Sequence, residues 1–398
     1  MSLTKMLLAA GLLALPLATG VAAEAPLSVD IDMKATAPEG LQFPMAPRFD
    51  VRHSTKLDTY SIHRQAASGA TIPLWSATAT TAGTNYTYTM VGQNPFVTLS
   101  NPSTTISTVI IPVKINLKTS RRSTTTFDPT ATDAHGCLPA GKTAISLTQA
   151  SPIFQNVTIS GAGTSQYTDL FQRANFFTQT VNGANPGYHV LLSPTVGSTV
   201  TMNISGNSGD LAQANCGNGG ADLGLIDINA FDSTIQNTVF PQLASQLNAN
   251  TFPLFVLYNV VMFDGSTSNC CILGYHNAFT FNGLFQTYGV AEFDSSNLFS
   301  GTGNVSAMSH EVGEWMDDPN GVNPTPSWGN IGQVSGCQTN LEVGDPLSGT
   351  VETFALNGFN YLLQDLAFHN WFYRASPSGS LNGWYSLQGT FRSPSAAC

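Results

Sequence analysis

Apolar and polar positions in the first half of the chain follow patterns that predict β-strands. Residues 86–91 are rich in strand formers, and residues 108–117 begin as an apolar run and then alternate apolar with polar. Shorter runs of the same kind lie at 157–159 and 200–204, and Gly, Pro, Asn and Ser punctuate the runs at sandwich-like spacing. We therefore predict a β-rich, sandwich-like domain over residues 66–205.

The pattern changes after a Gly- and Asn-rich stretch at 206–222, which we predict to be a linker or long loop. The elements predicted next are a helix at 232–248, strands at 252–263, 270–280 and 288–293, and a helix that carries Ser309 to Trp315. Pro319-Asn320-Gly321 then forces the last helix to stop. This order predicts an α+β domain over 223–398.

The N-terminus has the features of a secretory signal peptide at 1–23. Lys5 supplies a positive start, Met6 to Leu17 is apolar, and Val21-Ala22-Ala23 is a small-residue cleavage site. No later stretch reaches the roughly 18 apolar residues that a membrane helix needs. We expect a secreted or periplasmic protein without a membrane span, in which residues 24–65 form an N-terminal arm or a short pro-segment.

The charge balance argues against nucleic acid as a partner. Only 10% of the residues are charged, the formal net charge is -10, and the 14 Lys and Arg residues are spread along the chain. Phosphate binding requires a basic patch, and the sequence lacks one. The sequence does not determine an oligomeric state.

The six cysteines form an even set, which in an oxidising compartment predicts up to three disulfides. The sequence does not choose among their pairings. We expect the adjacent Cys270 and Cys271 to bond to two different partners, because a bond between neighbours is strained.

Candidate chemistry is concentrated on the helix that carries Ser309 to Trp315. Positions four apart on a helix lie one above the other, so His310 and Glu314 present an imidazole and a carboxylate to one point. Both groups are good zinc ligands. In the related pattern H-E-x-x-H, the residue in the position of Glu311 is the general base that activates water. Here a carboxylate, Glu314, stands where that pattern has its second histidine.

A catalytic zinc site needs a third protein ligand and one open position. Glu342 is our first choice for that ligand and Asp345 the second. An acidic ligand set of this kind also leaves calcium as an alternative to zinc. His276 lines the cleft as a substrate-binding or transition-state donor, or else is a satisfied core histidine. Asp318 is a candidate for a hydrogen bond that orients His310.

The segment resembles two groups of exported proteins. It contains Ser309-His310-Glu311 with Glu314, Asp318-Pro319, Trp328 and Glu342-Val343-Gly344-Asp345. These residues resemble the zincin-like exported proteins of bacteria. They are more distantly similar to the phosphate-induced, Exordium-like family of plant cell walls. The resemblance covers residues 250–350 and implies a zincin-like fold, His310 and Glu314 as metal ligands, Glu311 as base and Glu342 as the remaining ligand. Glu314 and Val343 depart from the usual patterns, which have His and Ile there.

Two functions are consistent with these features. The first is a secreted zinc-dependent hydrolase, a metallopeptidase in which Glu311 is the general base and a strand near His276 holds a peptide or protein substrate as an added β-strand. The alternative is a non-catalytic cell-wall or surface-binding protein with a structural or vestigial metal site. In that alternative, the β-rich half binds polysaccharide.

Overall fold

The computed structural model describes residues 26–33, 47–119, 124–206, 210–218 and 221–398. The predicted signal peptide at 1–23 lies outside these ranges. Within them, strands outweigh helices, at 40% against 19% of the residues.

A mixed sheet of twelve strands organises the described residues, in the order β1-β10-β5-β13-β16-β15-β14-β12-β11, with β2 beside β15 and with β6 and β9 beside β5. Its strands are β1 (Leu27–Met33), β2 (Arg48–Ser54), β5 (Ser103–Leu117), β6 (Thr125–Phe127), β9 (His189–Val196), β10 (Val200–Gly206), β11 (Asp210–Gln213), β12 (Asp222–Asp227), β13 (Thr251–Tyr258), β14 (Val260–Phe263), β15 (Cys270–Phe281) and β16 (Leu284–Phe293). Its central strands β5 and β13 pair in parallel, whereas β15 and β16 are antiparallel.

Four two-stranded hairpins and several helices surround this sheet. The hairpins are β3 (Leu74–Thr81) with β4 (Thr84–Val91), β7 (Val157–Ile159) with β8 (Gly163–Ser165), β17 (Pro324–Ile331) with β18 (Val334–Asn340), and β19 (Val351–Leu356) with β20 (Phe359–Gln364). The helices are α1 (Thr59–Ala67), α2 (Ala144–Gln149), α3 (Tyr167–Asn175), α4 (Ile228–Thr234), α5 (Phe240–Gln242), α6 (Ser306–Asp317) and α7 (His369–Phe372). A π-helical turn, Ile235–Val239, joins α4 to α5, and short 3-10 turns lie at Thr267–Asn269, Asp345–Leu347 and Leu381–Gly383.

The predicted fold class is wrong. We expected an α+β, zincin-like C-terminal domain preceded by a separate sandwich-like domain, but one large sheet takes strands from both segments. β5 pairs with β13, and the stretch predicted as a linker supplies β11, which pairs with β12. Periodicity identifies single strands but carries no information about which strands become neighbours, so it could not show that the segments share a sheet.

The predicted N-terminal arm also contributes to the sheet. β1 pairs in parallel with β10, and β2 pairs in parallel with β15. β1 alternates apolar and polar residues from Leu27 to Met33, and β2 has apolar residues at Phe49 and Val51, a period of two that the sequence prediction missed. Each is held in the sheet by main-chain pairing with its neighbour, β10 for β1 and β15 for β2.

Two hydrophobic cores lie on the two faces of the sheet, which explains the long apolar runs in its central strands. Along β13, Leu254 and Val256 belong to one core while Phe255 and Leu257 belong to the other. Successive side chains of a strand point to opposite faces, so a strand buried on both sides is apolar at nearly every position. α6 covers one face of the sheet, and α4 and α5 cover the other.

Every residue of α6 is buried, which is unusual for a helix that carries charged side chains. Met308, Val312 and Trp315 join the hydrophobic core, and the Trp315 ring stacks on Phe252 with centroids 3.7 Å apart. The helix ends at Asp317 as predicted, because Pro319 disfavours helical backbone at the preceding residue. α6 therefore presents an apolar side to the core and a polar side to a buried pocket.

The three disulfides join Cys137 to Cys216, Cys270 to Cys271 and Cys337 to Cys398. The expectation that Cys270 and Cys271 have separate partners is wrong, because the other four cysteines pair among themselves. In the described ranges, no helix has both the length and the apolar character needed to cross a bilayer.

We expect Trp315→Ala to lower the free energy of unfolding by about 3–5 kcal/mol, because it removes a large side chain from a packed core. Urea denaturation followed by circular dichroism measures this loss. Val322→Ala is the control: Val322 is 46% exposed, so its truncation should change stability by no more than about 0.5 kcal/mol. Equal losses in both variants would contradict the packing described here.

Candidate metal centre

Six residues that the sequence singled out meet in one buried pocket beneath α6. His276 comes from β15, His310, Glu311 and Glu314 from α6, and Glu342 and Asp345 from the turn after β18. None of the six is more than 7% exposed. The structure thus brings together every predicted metal ligand and both predicted catalytic residues.

Two glycines make room for this convergence. A Cβ atom on Gly274 would lie 2.8 Å from Cγ of Glu311, and one on Gly344 would lie 2.4 Å from Nδ1 of His310. Both distances are shorter than side chains tolerate. The backbone of β15 and of the 342–345 turn can therefore approach α6 closely only because these positions lack side chains.

The His310 ring lies between Gly344 and the ring of Phe49, which stacks on it with centroids 3.7 Å apart. Its Nε2 is 3.0 Å from Oε1 of Glu314 and 3.7 Å from Oδ1 of Asp345. Despite these distances, neither ring nitrogen has a partner with hydrogen-bond geometry among the described residues. The Nε2 edge of this imidazole therefore faces two carboxylates inside a buried pocket.

His276 is oriented by a main-chain group. Its Nε2 lies 3.1 Å from the carbonyl oxygen of Asp318, which can only accept, so Nε2 carries the proton. The lone pair of Nδ1 then faces Oε2 of Glu311 at 3.2 Å and Oε2 of Glu314 at 3.8 Å. This is the arrangement of a metal-binding histidine whose second nitrogen is held by the protein.

Asp318 does not contact His310 as predicted. Its carboxylate accepts hydrogen bonds from the main-chain N–H groups of Val322 and Asn323. Those bonds close the turn after α6 and leave the carbonyl of Asp318 for His276. The prediction identified the right residue for an orienting role but the wrong histidine and the wrong group.

Two sets of three ligand atoms lie close enough to hold a metal ion. In one set His310, Glu314 and Asp345 each place an atom within 4.8 Å of the others, and in the second His276, Glu314 and Glu342 do so. The residue beside His310 and Glu314 is therefore Asp345, our second choice, while Glu342 lies with His276. Glu311 belongs to neither set.

Burial dominates the electrostatics of the pocket. It raises the pKa of Glu311 and of Glu342 well above the usual range and raises the pKa of Asp345 to about 8. Burial opposes ionisation of Glu314 as well, but the neighbouring His310 attracts the charged form strongly enough to lower the pKa of Glu314. Without a cation, most of these carboxyl groups must hold protons, and a divalent ion would displace them.

Burial lowers the pKa of His276 to about 4, so this ring is neutral. Burial acts in the same direction on His310, but the charge of Glu314 outweighs it and the pKa of His310 is raised. The two histidines therefore have pKa values shifted in opposite directions. Both would bind a metal ion through a neutral nitrogen.

A layer of amide groups supports the carboxylates, and sequence reasoning missed it. Gln338 donates to Asp345 at 3.0 Å, Asn340 donates to Glu342 at 3.1 Å, and Gln333 also donates to Asp345. The main-chain N–H of Gly344 donates to Oε1 of Glu314 at 3.0 Å. The sequence does show several Gln and Asn residues in the hairpin just before Glu342. Amide groups close to metal ligands can orient them, so these residues could have predicted the layer.

β2 covers the pocket, which the sequence did not indicate. Phe49 stacks on His310, and the side chain of Gln333 binds both the N–H and the carbonyl of Phe49, at 2.7 and 3.0 Å. In the parallel ladder with β15, Val51 pairs with His276. The N-terminal arm thus occupies the edge of β15 that we predicted would hold substrate.

Comparisons of the chain with protein-family models, with curated proteins and with solved structures found no match. The resemblance to zincin-like and Exordium-like proteins therefore stays a prediction.

We expect Gly344→Ala to destabilise the protein by about 1–3 kcal/mol, because the added methyl group would overlap the His310 ring. Gly187→Ala is the matched control: the nearest atom to its new methyl group is Cγ of Pro102, at 3.6 Å. That variant should change the free energy of unfolding by less than about 1 kcal/mol. Thermal and urea denaturation of both proteins would test the contact, and equal stabilities would contradict it.

Proposed function

We propose that this chain is a secreted metal-dependent hydrolase, a zinc metallopeptidase-like enzyme that cleaves peptide bonds. One observation carries the proposal: buried His310 faces carboxylate oxygens of Glu314 and Asp345, and the three ligand atoms lie within 4.8 Å of one another. Glu311 lies beside this set without belonging to it. A ligand set with an adjacent carboxylate outside it is what metal-assisted hydrolysis requires.

The ligand types favour zinc over calcium. Calcium takes six to eight oxygen ligands, whereas zinc accepts imidazole nitrogen together with carboxylate oxygen. Each set of three contains one histidine. A divalent ion held there would supply Lewis acidity toward a carbonyl group and would make water more acidic.

Glu311 is the residue that would move the proton. Its Oε2 is in contact with Nδ1 of His276, while its Oε1 has no partner among the described residues. Oε1 would accept a proton from the attacking water and deliver it to the nitrogen of the leaving amine, as one water is consumed per peptide bond. Burial raises the pKa of Glu311, which favours its keeping a proton taken from water until it is passed to the leaving amine.

The three disulfides support export. Disulfides persist in oxidising compartments and are rare in the cytosol. They agree with the signal peptide that the sequence predicts, and together the two features favour a secreted or periplasmic enzyme.

Substrate access would require β2 to leave the edge of β15. An extended peptide could then pair with β15 beside His276, because an open strand edge offers main-chain donors and acceptors. We propose that the arrangement with β2 in place is the closed form of the enzyme. β2 would in that case work as a cover, in keeping with the pro-segment that the sequence suggests for this region.

A second candidate is a non-catalytic wall- or surface-binding protein whose metal ion is structural. The near-complete burial of all six site residues favours it, because structural metal sites are closed while catalytic sites keep an open position. A separate cavity of about 370 Å³, lined in part by Phe354, Trp384 and Gln388, offers the aromatic and polar groups that polysaccharide binding uses.

We expect Glu311→Gln to reduce hydrolysis of an unfolded protein substrate by about 10²–10⁴-fold, because the amide cannot accept the proton. Metal content should stay at the wild-type level, since Glu311 is in neither ligand set. Removing metal with a chelator should abolish wild-type activity, and zinc should restore it.

The control for that experiment is Glu292→Gln. Glu292 is equally buried, but Ala291 and Phe293 belong to the core on the α6 face, so Glu292 points to the opposite face. This variant should hydrolyse substrate like the wild type. Equal activity in Glu311→Gln and wild type, or hydrolysis that survives chelation, would refute the enzymatic proposal.

We expect Phe49→Ala to raise hydrolysis at least about tenfold. The truncation removes the stacking that holds β2 over His310, and each 1.4 kcal/mol lost from this closure raises the open population about tenfold. Hydrogen exchange would show faster opening of the β2 amides. Phe240→Ala, in the other core, is the control and should not raise hydrolysis. Faster β2 exchange with no hydrolysis by either protein would favour the non-catalytic candidate.

A further inference from the structure

The two ligand sets share one residue, Glu314, but they meet different oxygen atoms of its carboxylate. Oε1 lies 3.0 Å from Nε2 of His310, and Oε2 lies 3.8 Å from Nδ1 of His276. The two histidines therefore approach the carboxylate from different sides. Each oxygen of the Glu314 carboxylate thus faces a different histidine, as a carboxylate that bridges two ions requires.

We infer that the centre binds two divalent cations at once, bridged by the carboxylate of Glu314. His310 and Asp345 would complete the first site, and His276 and Glu342 the second. The inference rests on the proposed metal-dependent function and extends it from one ion to two. Two-metal hydrolytic sites hold their ions about 3.5–4 Å apart, a spacing that a shared carboxylate can span.

Charge balance supports two ions rather than one. The pocket holds four buried carboxyl groups, from Glu311, Glu314, Glu342 and Asp345. No ion pair among the described residues joins any of these four groups to Lys or Arg. Uncompensated buried charge is very costly. If these groups and the nearby buried Asp318 were ionised, one divalent ion would leave more uncompensated negative charge than two ions would.

The histidine nitrogens favour the same arrangement. Nε2 of His310 faces Glu314 and Asp345, and Nδ1 of His276 turns its lone pair toward Glu311 and Glu314 because Nε2 is held by the carbonyl of Asp318. One nitrogen is thus available to each set. The unused carboxylate, Glu311, lies beside both sets and remains available as a base.

The number of bound ions tests the inference directly. The full mature protein would be stripped with a chelator, titrated with Zn²⁺ by calorimetry and analysed for zinc after gel filtration. We expect two zinc ions per chain in the wild type, and one in each of Glu342→Gln and Asp345→Asn. Glu314→Ala should bind less than one. Glu292→Gln, which changes a buried carboxyl group outside the pocket, should retain two.

Loading with Mn²⁺ provides a second measurement that does not depend on any variant's stability. Two ions that share a carboxylate should give an exchange-coupled electron paramagnetic resonance spectrum, whereas a single ion gives the spectrum of an isolated Mn²⁺. One zinc ion per wild-type chain with an uncoupled spectrum would overturn the two-ion inference and leave the single-metal proposal standing. No bound metal would overturn both. Two ions that both persist in Glu342→Gln would overturn the assignment of the second site.

Discussion

Charge compensation in a buried pocket is the constraint on which the arrangement around α6 depends. Four carboxyl groups and two imidazoles are held away from water beneath one helix, and their attractions and repulsions act with little screening. Protonation reduces the free-energy cost of burying these charges, as the raised pKa values of Glu311, Glu342 and Asp345 indicate. Part is met by hydrogen bonds from neutral amides. A chain with only 14 Lys and Arg residues brings none of them to these carboxyl groups within the described ranges.

The large sheet stabilises the structure around this pocket. Its two faces are covered by apolar cores, which makes the sheet rigid. Trp315 and Met308 pack α6 onto one of these faces and so fix the orientation and position of the helix. Gly274 and Gly344 then let the backbone come close enough for side chains from three elements to converge. The glutamines of the β17–β18 hairpin and of β20 hold the 342–345 turn against the helix, with Gln364 donating to the carbonyl of Gly344 at 2.7 Å.

The burial of the pocket beneath β2 bears on both candidate functions. A pocket this well buried suits a structural ion, while a ligand set beside the carboxylate of Glu311, which belongs to neither set, suits hydrolysis. β2 itself matters to both, because it contacts α6 through the Phe49 ring on His310. It is also held by the ladder with β15, by Gln333 and by polar contacts of Arg48 and Arg52.

Local features of this protein could be predicted from sequence, because local backbone preference and side-chain spacing determine them. Periodicity predicts the helix from Ser306 to Asp317 and the strand β15, and Pro319 predicts where the helix stops. The i,i+4 spacing predicts that His310 and Glu314 lie on the same side of the helix. The acidic turn that contains Glu342 and Asp345 was also recognisable as part of one site.

Only the tertiary structure decided the features that join distant parts of the chain. It merged the predicted domains into one sheet, placed β2 over His310, grouped Asp345 rather than Glu342 with His310, and paired Cys270 with Cys271. Each of these depends on which surfaces become neighbours once the apolar faces are buried. That choice is made by packing across the whole molecule, and no local pattern of residues records it.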